Sequence, residues 1–167
     1  LAKAMFTHPR YNEGLRFTYE ADRPSAGKHM DSVPPTKLTD GQFHTAFTQS
    51  VQYDGDVTIV ADLSRAIALS ALRMMVFQGK DNYEVASVDV ALSENNQTWQ
   101  DVGTIVNSEL GKRAYVDTAL TLELPVSGTG RYVRLQVKKG GKSKRVLLGE
   151  IQIDSKEQLA EDAARVA

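Results

Sequence analysis

Apolar and polar residues alternate with a period of two through the middle and the C-terminal half of this chain. In the clearest run, Val133, Leu135 and Val137 fall on one face and polar residues on the other. This pattern is typical of β-strands with one buried face. The runs that show this alternation are residues 57–63, 88–92, 115–124 and 131–137.

Glycine, asparagine and aspartate interrupt these runs at short intervals. Many short strands without helical patterns between them indicate an antiparallel sandwich or barrel. Residues 67–77 also have helical propensity, but we interpret 70–77 as a strand because it leads directly into a turn. The predicted turns are Asp54–Asp56, Gly79–Asn82, Glu94–Asn96, Gly128–Gly130 and Gly140–Gly141.

The two ends of the chain differ from its middle. Pro24, Pro34 and Pro35 indicate that residues 1–35 are an irregular lead-in packed on the sandwich, with a short strand at 16–20. Residues 36–154 form the predicted β-sandwich binding domain. Residues 155–167 begin with an N-cap pattern and predict a helix or the start of a linker. With 167 residues and 41% hydrophobic content, one domain with a substantial core is expected.

Composition excludes several classes of protein. The formal net charge is -1, which argues against a surface built to grip nucleic acid. No apolar run approaches the ~20 residues needed to cross a bilayer, so no membrane insertion is expected. Cysteine is absent, which removes disulfides, thiolate metal sites and cysteine nucleophiles. Because the chain starts with leucine, we expect a mature or excised fragment.

Signatures of catalysis are also missing. The sequence has no His-Glu-x-x-His, no phosphate-binding Gly-Lys-Ser/Thr loop and no Gly-x-Ser-x-Gly elbow. Its three histidines are scattered through the N-terminal part, and we interpret them as surface residues. We therefore predict that the chain is not an enzyme.

Two acidic residues are candidates for a metal site. Asp40 lies in a tight Asp-Gly turn, which needs no ion but could also present several oxygens to calcium. Glu150 interrupts the apolar run Leu147–Ile153, where an unpaired charge would be costly. Glu150 either faces water at a sheet edge or has a metal as its partner.

The order of these features resembles the discoidin, or coagulation factor 5/8 type C, superfamily. That superfamily includes many carbohydrate-binding modules of the galactose-binding, jelly-roll type. The resemblance covers about residues 36–153. The matching segments are Leu38–Phe47, Val57–Leu63, Tyr83–Val90, Ser93–Trp99, Arg131–Leu135 and Gly149–Ile151.

The resemblance implies an antiparallel jelly-roll β-sandwich of about eight strands, followed here by a short C-terminal helix. It also implies a structural Ca²⁺ ion. Asn96 occupies a turn position where the family has glycine, which asparagine tolerates because it can adopt positive φ. Trp99 and Tyr132 are expected in the core. The implied calcium ligands are the carbonyls of Lys37 and Gln42, the carboxylates of Asp40 and Glu150, and Thr45.

In this superfamily the ligand binds to loops at one end of the sandwich. The loops correspond here to residues 47–55, 77–84, 107–115 and 138–145. Thr48 and Phe77 stand where galactose binders have histidine and arginine, which speaks against plain galactose recognition. Tyrosines beside polar residues suit sugar binding, although they could equally be aromatic residues that begin strands. The candidate ligand residues are Phe77, Asp81, Asn82, Tyr83, Arg113, Tyr115 and Lys142.

Residues 138–145 carry five cations in eight positions. Such a loop could be only a solvated turn, or it could attract an acidic glycan by charge. The leading hypothesis is a non-catalytic carbohydrate-binding module from a larger secreted bacterial glycan-processing protein. It would be monomeric, tethered to other domains, and secreted, periplasmic or at the cell surface. The alternative is a protein or cell-surface interaction module of the discoidin type.

Overall fold

Seven β-strands make up most of the computed structural model of the chain, which describes residues 14–112 and 115–166. A 3-10 turn at Lys37–Thr39 and two helices, α1 (Ala46–Gln49) and α2 (Lys156–Val166), complete it. No helix within these ranges is long and apolar enough to cross a bilayer. The strands are β1 (Thr18–Ala21), β2 (Val51–Tyr53), β3 (Val57–Gly79), β4 (Val85–Ser93), β5 (Gln100–Val106), β6 (Tyr115–Lys139) and β7 (Val146–Ser155).

The strands pair antiparallel in the order β2-β7-β3-β6-β4-β5, and β1 pairs with β3. The long strands β3 and β6 run through both layers of the fold. The first part of β3 pairs with the end of β6 beside β4 and β1. The second part of β3 pairs with the start of β6 and with β7. Between the two parts the register shifts after Asp62, where Ser64 adopts a φ of 71°.

Side chains from both layers meet in one core. Ile59 and Leu135 from the first layer, and Met74 and Ile153 from the second, are all 0% exposed. Val133, Leu135 and Val137 are buried as their alternation predicts. The predicted all-β jelly-roll sandwich with a C-terminal helix is therefore confirmed, with seven strands in the described residues instead of about eight.

The predicted turn at Gly128–Gly130 is wrong, because β6 continues through it. Gly128, Thr129 and Gly130 pair with residues 67–69 of β3. A Cβ atom at Gly128 would lie 2.9 Å from a side-chain carbon of Leu92, and one at Gly130 would lie 3.1 Å from the Leu92 Cβ. The glycines thus serve close packing against β4 instead of a chain reversal.

A second, smaller hydrophobic cluster lies apart from the main core. It contains Phe77, near the end of β3, and Tyr83, in the loop between β3 and β4. This cluster supports the loops described next. Its other members are Phe43, Ala46, Met75, Ala119 and Leu147.

Candidate functional site

Glu84 connects three loops at one end of the sandwich. It is 3% exposed, and its carboxylate accepts hydrogen bonds from the backbone N–H groups of Asp81 (2.9 Å) and Gly111 (2.6 Å). Its own N–H donates to the Ser143 hydroxyl (3.0 Å), and its carbonyl accepts from Gly140 (2.8 Å). One buried residue therefore holds the loops that follow β3, β5 and β6 against one another.

Arg145 lies on the last of these loops and contacts two residues of the loop after β3 and one residue of β2. Its Nε donates to the Asn82 side-chain oxygen (3.1 Å), and its Nη1 donates to the Gln52 side-chain oxygen (2.8 Å). The guanidinium carbon lies 5.3 Å from the centroid of the Tyr83 ring. We call Gln52, Asn82, Tyr83 and Arg145 the Arg145 cluster. Within the described part of the chain, Arg145 forms no ion pair, so neutral groups hold its charge in place.

His29 brings the N-terminal lead-in to the same end. Its Nδ1 lies 2.9 Å from the Ser50 hydroxyl, and its carbonyl accepts a hydrogen bond from the Gln52 N–H (2.8 Å). Burial, followed by the positive charges of Arg145 and two lysines, lowers the pKa of His29. Neutral imidazole is therefore favoured beside Arg145. The sequence interpretation missed His29, Gln52 and Arg145 as one group, because nothing local connects the lead-in to these loops.

Several predicted ligand residues come together here. Asn82 and Tyr83 belong to the Arg145 cluster, while Asp81 and Lys142 are exposed on the adjoining loops. Tyr83 is only 9% exposed, with Gly79 against its ring and the Arg145 guanidinium over it, so little of the ring is open to a ligand.

Other predicted ligand residues do not join this group. Phe77 is 0% exposed in the smaller hydrophobic cluster, and its ring presents no surface to a ligand. Burial therefore makes Phe77 a core residue, which corrects its assignment to the ligand site. Arg113 lies outside the described residues, and Tyr115 is the first residue of β6, opposite Gly79.

The predicted metal residues Asp40 and Glu150 approach each other at a separate cavity. The 3-10 turn buries Leu38 and brings Gly41 to β7, where its N–H donates to Glu150 Oε2 (2.6 Å). Glu150 is 6% exposed, and its Oε1 is buried without a hydrogen-bond partner. Burial raises the pKa of Glu150 to about 9, and the nearby Asp40 carboxylate also raises it. Burial likewise raises the pKa of Asp40.

These residues fit a hard cation. A buried carboxylate oxygen without a partner, next to a second carboxylate, is stabilised when a cation neutralises both. A cavity of about 540 Å³ adjoins Asp40 and Glu150. The described residues contain no group of three or more His, Cys, Asp or Glu side chains for a metal, so carbonyl and hydroxyl oxygens would have to complete the site. The Thr45 hydroxyl lies 2.8 Å from that of Thr48.

The remaining residues singled out in the sequence lie on the outside of the first layer. Asn96 has a φ of 60°, which confirms the predicted left-handed turn. Trp99 and Tyr132 are half-buried and not in the core. The guanidinium carbon of Arg134 lies 4.7 Å from the centroid of the Trp99 ring. The guanidinium carbon of Arg131 lies 4.9 Å from the centroid of the Tyr132 ring.

Solved structures with this jelly-roll sandwich include several carbohydrate-binding modules. A family 32 module, CBM32-3, from a family 31 glycoside hydrolase of Clostridium perfringens is 18% identical, with a TM-score of 0.60 over 83% of this chain and 90% of that one. The CBM32 of AlyQ, in complex with 4,5-unsaturated mannuronic acid, is 15% identical, with a TM-score of 0.57 over 81% and 92%. The family 32 module of C. perfringens NanJ, in complex with galactose, is 12% identical, with a TM-score of 0.56 over 82% and 92%. These similarities establish a shared fold.

A model of the F5/8 type C domain matches residues 20–151. The chain therefore belongs to the F5/8 type C domain family, as its sequence resemblance indicates. Comparison with curated proteins gives no match.

Proposed function

We propose that this chain is a non-catalytic carbohydrate-binding module whose ligand binds at the Arg145 cluster. The observation that carries the proposal is the guanidinium of Arg145, fixed by Asn82 and Gln52 and without a carboxylate partner among the described residues. Planar polar groups held in advance of binding recognise sugar hydroxyls with little loss of conformational entropy. The sugar complexes of the AlyQ and NanJ modules support the carbohydrate-binding part of this proposal.

The charge of the surrounding loops favours an acidic glycan. Lys142 and Lys144 are exposed next to Arg145. An arginine fork matches the two oxygens of a carboxylate or sulfate, and Arg145 spends no donor on a described carboxylate. A uronic acid or sulfated sugar would therefore gain an ion pair that a neutral sugar lacks.

We also propose a structural Ca²⁺ ion at Asp40 and Glu150. The orphaned Glu150 Oε1 supports it, and the carbonyls of Lys37 and Gln42 and the Thr45 hydroxyl would supply the other oxygens. The ion would neutralise the two carboxylates. It would thereby tie the 37–45 segment to β7, with no part in chemistry.

The proposed setting is a larger, secreted bacterial glycan-processing protein, in which this module is monomeric and tethered. Support comes from the relatives, since one module named above belongs to a glycoside hydrolase of C. perfringens. In such a setting the module would hold an enzyme near its polysaccharide.

Calorimetry with uronic acid-containing, sulfated and neutral glycans, at low and high salt, tests the proposal. We expect dissociation constants from about 10 μM to 1 mM, with weaker binding to acidic glycans as salt rises. Arg145→Ala should abolish measurable binding, and Arg145→Lys should weaken it because the charge stays but the fork is lost. Arg65→Ala changes an exposed arginine elsewhere and is the matched control. Unchanged binding by Arg145→Ala would refute the assignment.

A further inference from the structure

A groove of about 440 Å³ crosses the outer face of the first layer, away from the Arg145 cluster. We call it the Tyr132 groove. Its volume lies in the range typical of small-ligand sites. The residues that line it are Thr18, Tyr19, Glu20, Ala21, Asp22, Thr58, Val60, Asp62, Asn96 and Tyr132.

Strand pairing explains why a groove forms here. Thr18 lies opposite Asp62, and Asp62 lies opposite Tyr132, so β1, β3 and β6 contribute neighbouring positions on one face. Side chains stand roughly perpendicular to a sheet, so the short Thr58 and Val60 of the middle strand form a low floor. Tyr132 and Asn96, from β6 and the loop after β4, line the groove beside this floor.

The polar groups of the groove are held in place without a ligand. Arg131 donates to both oxygens of Asp62, from Nε at 2.9 Å and from Nη2 at 3.1 Å, and packs against the Tyr132 ring. This hydrogen bonding lowers the pKa of Asp62, so the carboxylate stays charged as an acceptor. The Asn96 backbone N–H donates to the Ser93 hydroxyl at 2.9 Å, which anchors the loop after β4.

The charge of the groove is opposite to that of the Arg145 cluster. Its lining contains the carboxylates of Glu20, Asp22 and Asp62; Arg131 beside the groove neutralises Asp62, so Glu20 and Asp22 supply the negative charge. Carboxylates accept hydrogen bonds from sugar hydroxyls but repel anionic sugars. An aromatic ring beside fixed planar acceptors suits a hydroxyl-rich, uncharged ligand.

We propose that the Tyr132 groove is a second ligand site, which binds a neutral oligosaccharide. It shares no residue with the Arg145 cluster, because the groove lies on the outer face of β1, β3 and β6, whereas the cluster is formed by β2 and the loops after β3 and β6. The proposal therefore stands or falls independently of binding at Arg145. A chain with both sites would bridge two segments of a mixed polysaccharide.

Trp99 is a built-in reporter for this groove. It is the single tryptophan of the chain, and its ring packs against Arg134, two residues from Tyr132 on the same face of β6. We would titrate the Arg145→Ala variant with cellohexaose, xylohexaose, mannohexaose and laminarihexaose. Trp99 fluorescence and calorimetry would be followed together. At least one sugar should give a saturable change in both signals.

Two further substitutions in that background locate the site. Tyr132→Ala should weaken binding at least about tenfold. Asn96→Gly should also weaken binding, because it removes the side-chain amide. Glycine readily adopts the left-handed backbone of residue 96, so a loss of binding by this variant cannot be ascribed to a misfolded loop. Glu94→Gln, at an exposed acid of the same loop, should bind as the parent does. Absence of a response to all four sugars, or equal binding by Asn96→Gly and its parent, would overturn the proposal.

Discussion

Replacing Glu150 by glutamine removes one buried titratable group and keeps the shape of the side chain. Burial raises the pKa of Glu150 from its ordinary value of 4.5 to about 9. The folded chain therefore binds this proton more tightly than the unfolded chain does. In calcium-free buffer, stability contributed by Glu150 must fall as pH rises from 4.5 towards 9. The loss reaches about 3 kcal/mol near pH 7.

Calcium should reverse which of wild type and Glu150→Gln is the more stable protein. In chelator near pH 7, Glu150→Gln should be more stable than wild type, by up to about 3 kcal/mol, with a flatter pH profile. In excess calcium the wild type should gain about 2.7 kcal/mol at one hundred times the dissociation constant. The variant should gain much less, because a neutral amide is a poorer calcium ligand.

Urea unfolding followed by Trp99 fluorescence measures both effects. Wild type, Glu150→Gln and Glu94→Gln would be unfolded in chelator and in calcium at several pH values. Glu94 is exposed, so its variant should follow wild type throughout. An equal response to calcium by wild type and Glu150→Gln would refute the metal site. Parallel pH profiles in chelator would refute the argument from burial.

Three further substitutions test the core, the turn and the loop scaffold. Phe77→Ala should cost about 3–5 kcal/mol in urea unfolding, because Phe77 is fully buried; a loss below about 1 kcal/mol would indicate a surface position. Asn96→Val should lower stability by about 1–2 kcal/mol at its φ of 60°, whereas Asn96→Gly should not, and equal losses would contradict the backbone argument. Glu84→Ala should cost about 2 kcal/mol and weaken glycan binding at Arg145, and calorimetry that shows unchanged affinity would exclude its positioning role.

Features that depend on neighbouring residues could be predicted from the sequence. Successive side chains of a strand point to opposite faces, so alternation alone predicted the burial of Val133, Leu135 and Val137. The family resemblance placed Asn96 at a turn position that usually holds glycine, and its φ of 60° agrees because asparagine adopts positive φ more readily than most residues. The ordered motifs also indicated the family to which the chain belongs.

The continuity of β6 could not be predicted in this way. A Gly-Thr-Gly segment suits a turn and also suits a strand that another chain segment approaches closely. Leu92, 36 residues before Gly128 in the numbering, occupies the space that a side chain would need. Glycine can adopt both a turn and an extended strand at this point, and packing between strands therefore decides in favour of the strand.

Alternation and ordered motifs specify the β-sandwich, its family and the residue types available for binding. Which of these residues meet depends on how the strands and loops pack in the folded chain. Arg145 bonds to residues 63 and 93 positions away, and Gly41 bonds to a carboxylate 109 positions away. The packing of the folded chain also buries Phe77 and leaves Tyr132 in the lining of a groove. The reason is physical: alternation specifies the face on which a side chain lies, whereas strand order and loop packing specify its neighbours.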